Sequence, residues 1–480
     1  MRLDDPKIQE IVDRVVQKLG DAGAIPGGGV KSPSRPGVGG SSVSVGRHGV
    51  FPDVESAVKA ATLAFEQLQE VSLEIRGRMI EAMRDVTRRN AAELSHQAVE
   101  ETGMGRVSDK INKNLLAANK TPGIEGLEPV AYTGDHGLTL MERAPYGVIG
   151  SITPCTNATE TIVCNGIGMI AAGNSVVFNT HPRSKRVGAV FVRMLNQAMV
   201  AAGGPDNLLC VVADPTIESA NALMDHPGIA LLVVTGGPAV VAAAMKRPKK
   251  VIAAGPGNPP CVVDETAHLE RAGRDAVLGA SFDNNIVCVV EKEVIAVRSI
   301  ADRLRQHMVD HGACLLRESM IPKVERLVVG PKGPLTEFVG KDAKYILRKA
   351  GIDVSGDPKV LLAEVDEKHA FVQEELLMPI LPMVRVNSAD EAIEMAKRVE
   401  HGYRHTAVMH STNIDRLHKM ARVMNCSIFV KNAPSYAGLG YGGEGYTTYT
   451  IASPTGEGLT YARHFTRERR CVLKDYFRIV

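Results

Sequence analysis

Five short apolar segments, GVIGSITP, NSVVFNTHP, LLCVVAD, IALLVVTGG and KKVIAAGPGNPP, follow one another between residues 147 and 260. Between them lie ATETIVCNGIGMIAAG, SKRVGAVFVRMLNQAMVAAG, TIESANALMDHP and PAVVAAAMKR, in which apolar residues recur at helical spacing. The apolar segments carry β-branched residues at consecutive positions, the pattern of strands covered on both faces. Strand and helix alternating in this way predict a parallel, doubly wound α/β sheet, which binds ligands beyond the carboxyl ends of its strands. Those ends are Thr153 to Asn157, Asn179 to Pro182 and Thr235 to Pro238.

A second α/β run covers about 261–430, with PCVVDE, CVVEKEVIAV, FVQEELLMPILPMVRV, HTAVMHST and CSIFVKN as its strands. Residues from about Phe51 to Ala118 have a helical pattern. DHGLTLMERAPYG and RRCVLKDYFRIV are strand-like but stand apart from both runs, as a sheet extension that subunits of a homo-oligomer could share.

The chain opens with Ile8, Ile11, Val12, Val15, Val16 and Leu19 on one helical face, followed by some thirty residues rich in Gly, Ser and Pro. An isolated helix of this length is marginal in water, so its apolar stripe needs a partner protein to cover it. Lys plus Arg total 56 against 54 Asp plus Glu, a net charge of +2, which is too even to suggest a nucleic-acid or anionic-membrane surface. No signal-peptide pattern and no uncharged run of the roughly 18 residues that a span needs is readable, so a cytoplasmic location is expected. The eight cysteines show no CxxC or CxxxC pairing, and no metal site is read from them.

Two glycine-rich stretches invite a phosphate-binding reading. GLGYGGEG has GxGxxG spacing at Gly438, Gly440 and Gly443, but YTTYTIASPTGEG after it is a poor helix, so the string reads as a loop built close to a ligand or another backbone. Thr235, Gly236 and Gly237 sit instead between a strand and the helix PAVVAAAMKR. There, either a phosphate-binding helix terminus or a plain β-to-α turn satisfies the pattern.

GASFDNNIVCVVEKEV puts Cys288 after a helical stretch and at the start of an apolar strand. Alone, that placement does not separate it from the other cysteines, because single cysteines at strand starts are mostly core residues. Its companions do: ITPCTNATET, AAGNSVVF, VVTGGP, AAGPGNPP, ASFDNNIVCVVEK, QEELLMPILP, HTAVMHS and SIFVKNAPSYAGLGYGGEGYTTYTIASPTGEG occur in one order. From about residue 50 to the end, the chain resembles the aldehyde dehydrogenase superfamily, specifically its CoA-acylating branch and the propionaldehyde dehydrogenases of bacterial microcompartments.

The resemblance implies an aldehyde-dehydrogenase-like fold of two doubly wound α/β domains, one Rossmann-like for the cofactor and one catalytic, plus a small oligomerisation sheet extension. In its terms, 1–20 is an encapsulation-type helix, 21–48 a linker, 49–133 with 147–254 the cofactor-binding domain, 255–455 the catalytic domain, and 134–146 with 460–480 the oligomerisation strands. Cys288 corresponds to the nucleophile, Asn157 to the oxyanion-hole amide and Glu375 to the carboxylate near the nicotinamide ribose. Thr235, Gly236 and Gly237 fall where the cofactor phosphates sit, and Thr153, Pro154, Asn179 and His181 complete the cofactor-binding set. Ser435 and Tyr436 are placed at the cleft wall. The implied ligands are NAD, coenzyme A and a small aldehyde. The implied setting is a microcompartment lumen, with shell or core proteins bound by the amino-terminal helix of a dimeric or tetrameric enzyme.

Two departures sharpen this. Hydrolytic members carry a Glu general base in the segment aligned with AAGPGNPP, where this chain has Ala253 or Ala254, and a Lys where it reads Asn179, Thr180, His181. A thiolate at Cys288 would attack an aldehyde, with its own backbone N–H and the Asn157 amide stabilising the oxyanion. After hydride loss to NAD, the resulting thioester passes to a second thiol without a water-activating base, which makes coenzyme A the expected acceptor. Propionaldehyde is favoured and acetaldehyde is the alternative substrate. A hydrolytic enzyme forming the free acid, and an inactive scaffold associated with a microcompartment, are the competing readings. His181, His405 and His410 have no readable partner and are read as turn or strand histidines.

Overall fold

In the strand Leu231–Thr235, Leu231 and Val233 pack into one apolar cluster while Leu232 and Val234 pack into another on the opposite face. Neighbouring strands divide in the same way, so both faces are dry and no polar residue is needed at alternate positions. This is the computed structural model of the chain, which describes residues 46, 48–353 and 355–480. The helix expected over 1–20 and almost all of the linker expected over 21–48 lie outside the described residues.

The first sheet has six parallel strands in the order Val50–Phe51, Leu209–Val212, Ser175–Thr180, Val148–Thr153, Leu231–Thr235, Lys250–Ala254. From the strand Val148–Thr153 the chain moves outward through two strands, then crosses back to its other side. The order therefore reverses between Thr153 and Thr235, the switch point where open α/β sheets leave a crevice. The second sheet has seven parallel strands in the order Ala313–Leu315, Val360–Glu364, Ile380–Val386, Glu293–Val297, Pro260–Val263, Thr406–His410, Ile428–Lys431. One apolar cluster contains residues of both sheets, and the described residues fall in a single compact unit, Val43–Val480. An antiparallel sheet of Val130–Gly134, Gly137–Pro145 and Thr466–Lys474 takes in the two strand-like pieces that stood apart. No helix among the described residues is long and apolar enough to cross a membrane.

Two strand expectations need correction. In FVQEELLMPILPMVRV the first residues belong to a short helix, Ala370–Gln373, and the strand begins only at Ile380. In CVVEKEVIAV the strand begins at Glu293, so Cys288 lies in a turn rather than at a strand start. The cause is three consecutive left-handed residues, Asp283, Asn284 and Asn285, with φ of 47°, 54° and 67°. Asp and Asn adopt this conformation more readily than other non-glycine residues, and here their side chains are held by both near and distant partners. Asn284 Nδ2 donates to Gly340 O at 2.9 Å and to Asp342 Oδ1 at 3.0 Å, and Asn285 Nδ2 donates to Ala280 O at 2.8 Å and to Glu291 O at 3.0 Å. Lys292 Nζ closes the turn from the far side, donating to Asn285 O at 2.8 Å and Asn285 Oδ1 at 2.6 Å.

GLGYGGEG forms a loop, as its poor helical sequel implies. Lys120 Nζ donates to the carbonyls of Gly440 and Gly443, both at 2.7 Å, and a Cβ on Gly443 would lie 2.5 Å from Ala437 O. The loop region is anchored to the Cys288 turn through Glu291, whose carboxylate accepts from Ser435 N at 2.8 Å and Ser435 Oγ at 2.6 Å. Gly279 makes room for that carboxylate, since a Cβ there would stand 1.8 Å from Glu291 Oε2. Gly279→Ala is expected to lower stability by about 1–3 kcal/mol through overpacking. A thermal melt coincident with that of the native protein would contradict this.

Candidate active site

The crevice at the switch point is a cleft of about 490 Å³. The ten residues assigned from the sequence to catalysis or cofactor binding all line it: Thr153, Pro154, Asn157, Asn179, His181, Thr235, Gly236, Gly237, Cys288 and Glu375. They arrive there because the first-sheet strands deliver their carboxyl ends to one mouth, and the Cys288 turn and the segment after Gln373 close it from the second sheet.

At one end, Gly237 is the N-cap of the helix Pro238–Met245 and supplies no side-chain cap. The first-turn N–H groups therefore keep free donors beside the positive end of the helix dipole, which suits a phosphate. A Cβ on Gly237 would meet nothing within 4 Å, so its surroundings are open. No lysine or arginine is among the described lining residues. The nearby polar side chains are partly engaged: Asn179 Oδ1 accepts from Ser219 Oγ at 2.6 Å, and His181 Nδ1 accepts from Arg183 N at 3.1 Å. Burial and then the Arg183 charge hold His181 below the usual histidine range, so it is neutral near pH 7. The donors and the apolar walls fit a dinucleotide whose phosphates are held by backbone.

At the other end, Cys288 is partly exposed to the cleft. Burial, reinforced by Glu375, pushes its thiol up to about 12, so the resting residue is protonated. Glu375 is half-buried, its Oε1 accepts from Gly257 N at 3.2 Å, and loss of solvent raises it to about 7. It is the one acid among the described lining residues, and Ala253 and Ala254 are buried at their strand end. Asn157 lies just before the helix Ala158–Ala171 and is 5% exposed.

Other residues settle as follows. His405 is buried, its Nδ1 lies 2.9 Å from Thr406 Oγ1, and burial lowers it to about 4. Gly257 is wedged between it and Cys288: a Cβ there would be 2.9 Å from both Cys288 O and the His405 ring. His410 is buried at the end of Thr406–His410, away from the cleft lining. Ser435 and Tyr436 are not cleft residues. Ser435 holds Glu291, and Tyr436 packs on Phe282 and Tyr441 at ring separations of 5.2 and 5.3 Å. Cys155, within the strand end Thr153 to Asn157, lines the cleft, and so do Tyr449 and Leu377, which no local pattern had marked. Leu377 adopts φ 53° there, an uncommon conformation for a bulky residue.

The profile of the aldehyde dehydrogenase family matches residues 41–331 and 356–459. The chain is 47% identical over 485 aligned positions, with all of both proteins covered, to the acetylating acetaldehyde dehydrogenase of Salmonella typhimurium strain LT2. Its fold matches the Rhodopseudomonas palustris propionaldehyde dehydrogenase solved with bound CoA and an acylated cysteine. That match has a TM-score of 0.88 at 53% identity and covers 89% of this chain and 98% of that one. A propionaldehyde dehydrogenase from the Clostridium phytofermentans fucose utilisation microcompartment matches with TM-score 0.89 at 47% identity, covering 90% and 100%.

The raised thiol sets the sign of a pH effect. A thiol whose pKa is raised gains thiolate steadily with pH, so alkylation of Cys288 by iodoacetamide, read peptide by peptide by mass spectrometry, is expected to accelerate without levelling up to about pH 9. A plateau reached below about pH 8 would instead mark a preformed thiolate.

Proposed function

Because this chain belongs to the aldehyde dehydrogenase family, we propose that it is a CoA-acylating enzyme: aldehyde, NAD⁺ and CoA–SH are converted to acyl-CoA, NADH and a proton. Propionaldehyde is the favoured substrate and acetaldehyde the alternative. The observation that carries this reading is the cleft lining, which joins a cysteine to a helix-terminus phosphate site while alanines occupy the strand end where a hydrolytic base would stand.

The chemistry follows from what each group holds. The Cys288 thiol gives up its proton, the one released in the overall reaction, and its sulfur adds to the carbonyl carbon, so that the oxygen becomes an alkoxide that the Cys288 N–H and the Asn157 amide stabilise. When bound, NAD⁺ supplies the hydride acceptor. Thr235, Gly236 and Gly237 with the following helix terminus would hold its phosphates, Thr153, Pro154, Asn179 and His181 its adenosine side, and Glu375 its nicotinamide ribose. Loss of hydride leaves an acyl thioester on Cys288. The CoA thiolate attacks that carbonyl, the Cys288 sulfur leaves, and no water has to be activated. Burial keeps Cys288 a thiol at rest, which protects it from oxidation until substrate arrives.

Glu375 favours a second reading, since a carboxyl raised to about 7 is what a water-activating base requires. One assay separates the two. NADH formation is expected to stop after one equivalent per site without CoA and to become catalytic with it, and Cys288→Ala is expected to abolish both phases. Sustained turnover to free acid without CoA would establish the hydrolytic reading.

In the same reading, 49–133 with 147–254 form the cofactor-binding part, 255–455 the catalytic part, and 134–146 with 460–480 the oligomerisation strands. The three-stranded sheet begins at Val130, four residues before the expected bound of 134, and Val130, Tyr132 and Val472, exposed on it, support a homo-oligomer. The microcompartment origin of a relative supports a role for residues 1–20 in docking to shell or core proteins. Deleting 1–20 is expected to leave turnover intact and to abolish co-purification with shells. Retained co-purification would refute that role.

A further inference from the structure

Behind the cleft, away from any solvent, the helix Val107–Lys120 turns two lysines, Lys110 and Lys113, toward Asn157 and the Cys288 turn. They are 1% and 0% exposed. Lys113 Nζ donates to Asn157 Oδ1 at 2.7 Å and pairs with Asp283 at 2.6 Å and Glu160 at 3.1 Å. Lys110 Nζ donates to the carbonyl of Thr156 at 3.0 Å and pairs with Asp283 at 3.2 Å. Asp283, the first of the three left-handed residues, also accepts from Arg106 N at 2.7 Å, and Gly105 has no side chain because a Cβ would lie 2.1 Å from that carboxylate. Burial opposes the charge on Lys113, but Asp283 and Glu160 outweigh it and hold the lysine above its usual range. It therefore stays charged throughout the working pH range and is no proton donor to the reaction.

A lysine ammonium has three donors and no acceptor. The atom of the Asn157 amide facing Lys113 must then be the oxygen, which leaves Nδ2 as the donating end; it reaches Thr156 Oγ1 at 3.4 Å and has a second N–H for the cleft. An unassisted asparagine amide can flip, because its two ends have nearly the same shape. Here one flip state would set an N–H against an ammonium in a dry site.

We propose that Lys113 is a positioning residue for acyl formation: its bond to Asn157 Oδ1 fixes the amide with Nδ2 toward the aldehyde oxygen, and its pair with Asp283 ties that amide to the Cys288 turn. The proposal rests on the assignment of Cys288 and Asn157 above. It differs from a merely structural role in one respect: it requires loss of oxyanion stabilisation without loss of access to the nucleophile.

The test compares Lys113→Met, Asn157→Ala and the double variant by kcat for aldehyde oxidation at saturating CoA and NAD⁺, with iodoacetamide alkylation of Cys288 as control. Alkylation is a displacement that needs no oxyanion hole. Removing such a donor costs about 10²–10³ in kcat. Each single variant is expected to lose about 100-fold in kcat, and the double variant no more than about threefold beyond Asn157→Ala, because groups acting as a unit are not additive. Alkylation is expected to stay within about threefold of native. If Asn157→Ala itself keeps full turnover, the oxyanion assignment fails and the inference falls with it. If Asn157→Ala is impaired while Lys113→Met is not, or if the two losses multiply, or if alkylation falls in parallel, only the role of Lys113 is overturned. Lys113→Met combined with Glu160→Gln removes one positive and one negative charge together, and serves where the single variant does not fold. Failure of both to fold would make Lys113 a folding element and overturn the proposal.

Discussion

The carboxylate of Asp283 has no access to water, and the cleft is organised around its neutralisation. A buried carboxylate is costly by several kcal/mol unless it is paired and hydrogen-bonded. Burial pushes Asp283 up, but Lys110 and Lys113 outweigh it, so that the group is held below its ordinary range and remains an anion. Its partners come from distant segments: Arg106, Lys110 and Lys113 at one helix start, and through Lys113 also Asn157 and Glu160. None of these charges is tolerable until the others arrive. The Cys288 turn, Asn157 and the helix Val107–Lys120 therefore assemble together or not at all.

The cleft in front of this cluster has the opposite character. Its lining contains no lysine or arginine among the described residues and one acid, Glu375. Anionic ligands are met by backbone N–H groups and a helix dipole, which bind without the long-range pull of a full charge. A site of that kind suits two nucleotide-bearing ligands that must follow one another through the same opening. The fixed charges stand behind Asn157 and the Cys288 turn and are absent from the described lining of the cleft.

The sequence was most legible where structure follows from local pattern. Apolar segments around Val148, Val176, Cys210, Val233 and Ile252 became the strands of one parallel sheet because residues buried on both faces must be apolar at every position. The strand ends Thr153, Asn179 and Thr235 then had to converge at one mouth. Pattern failed where a short polar run overrode it. DNN before IVC looks like a loop feeding a strand, yet three left-handed residues delay that strand to Glu293 and leave Cys288 on a turn. Ser435 was misplaced at the cleft because the need it meets, a partner for the buried Glu291, depends on a residue 144 positions away.

By itself, then, the order of segments determined the α/β architecture and the strand ends that form the cleft, since each depends on periodicity and sequential connection, while Cys288 and Glu375 were marked by the family resemblance. Only the tertiary structure decided how those residues are held. DKINKNLLAANK reads as an amphipathic helix whose lysines would be solvated, and nothing within it indicates that Lys110 and Lys113 are dry. Their burial is set by Asp283 and Glu160, whose distance along the chain is bridged by packing alone. An ion pair is a property of two segments brought together, and local sequence carries only one half of it.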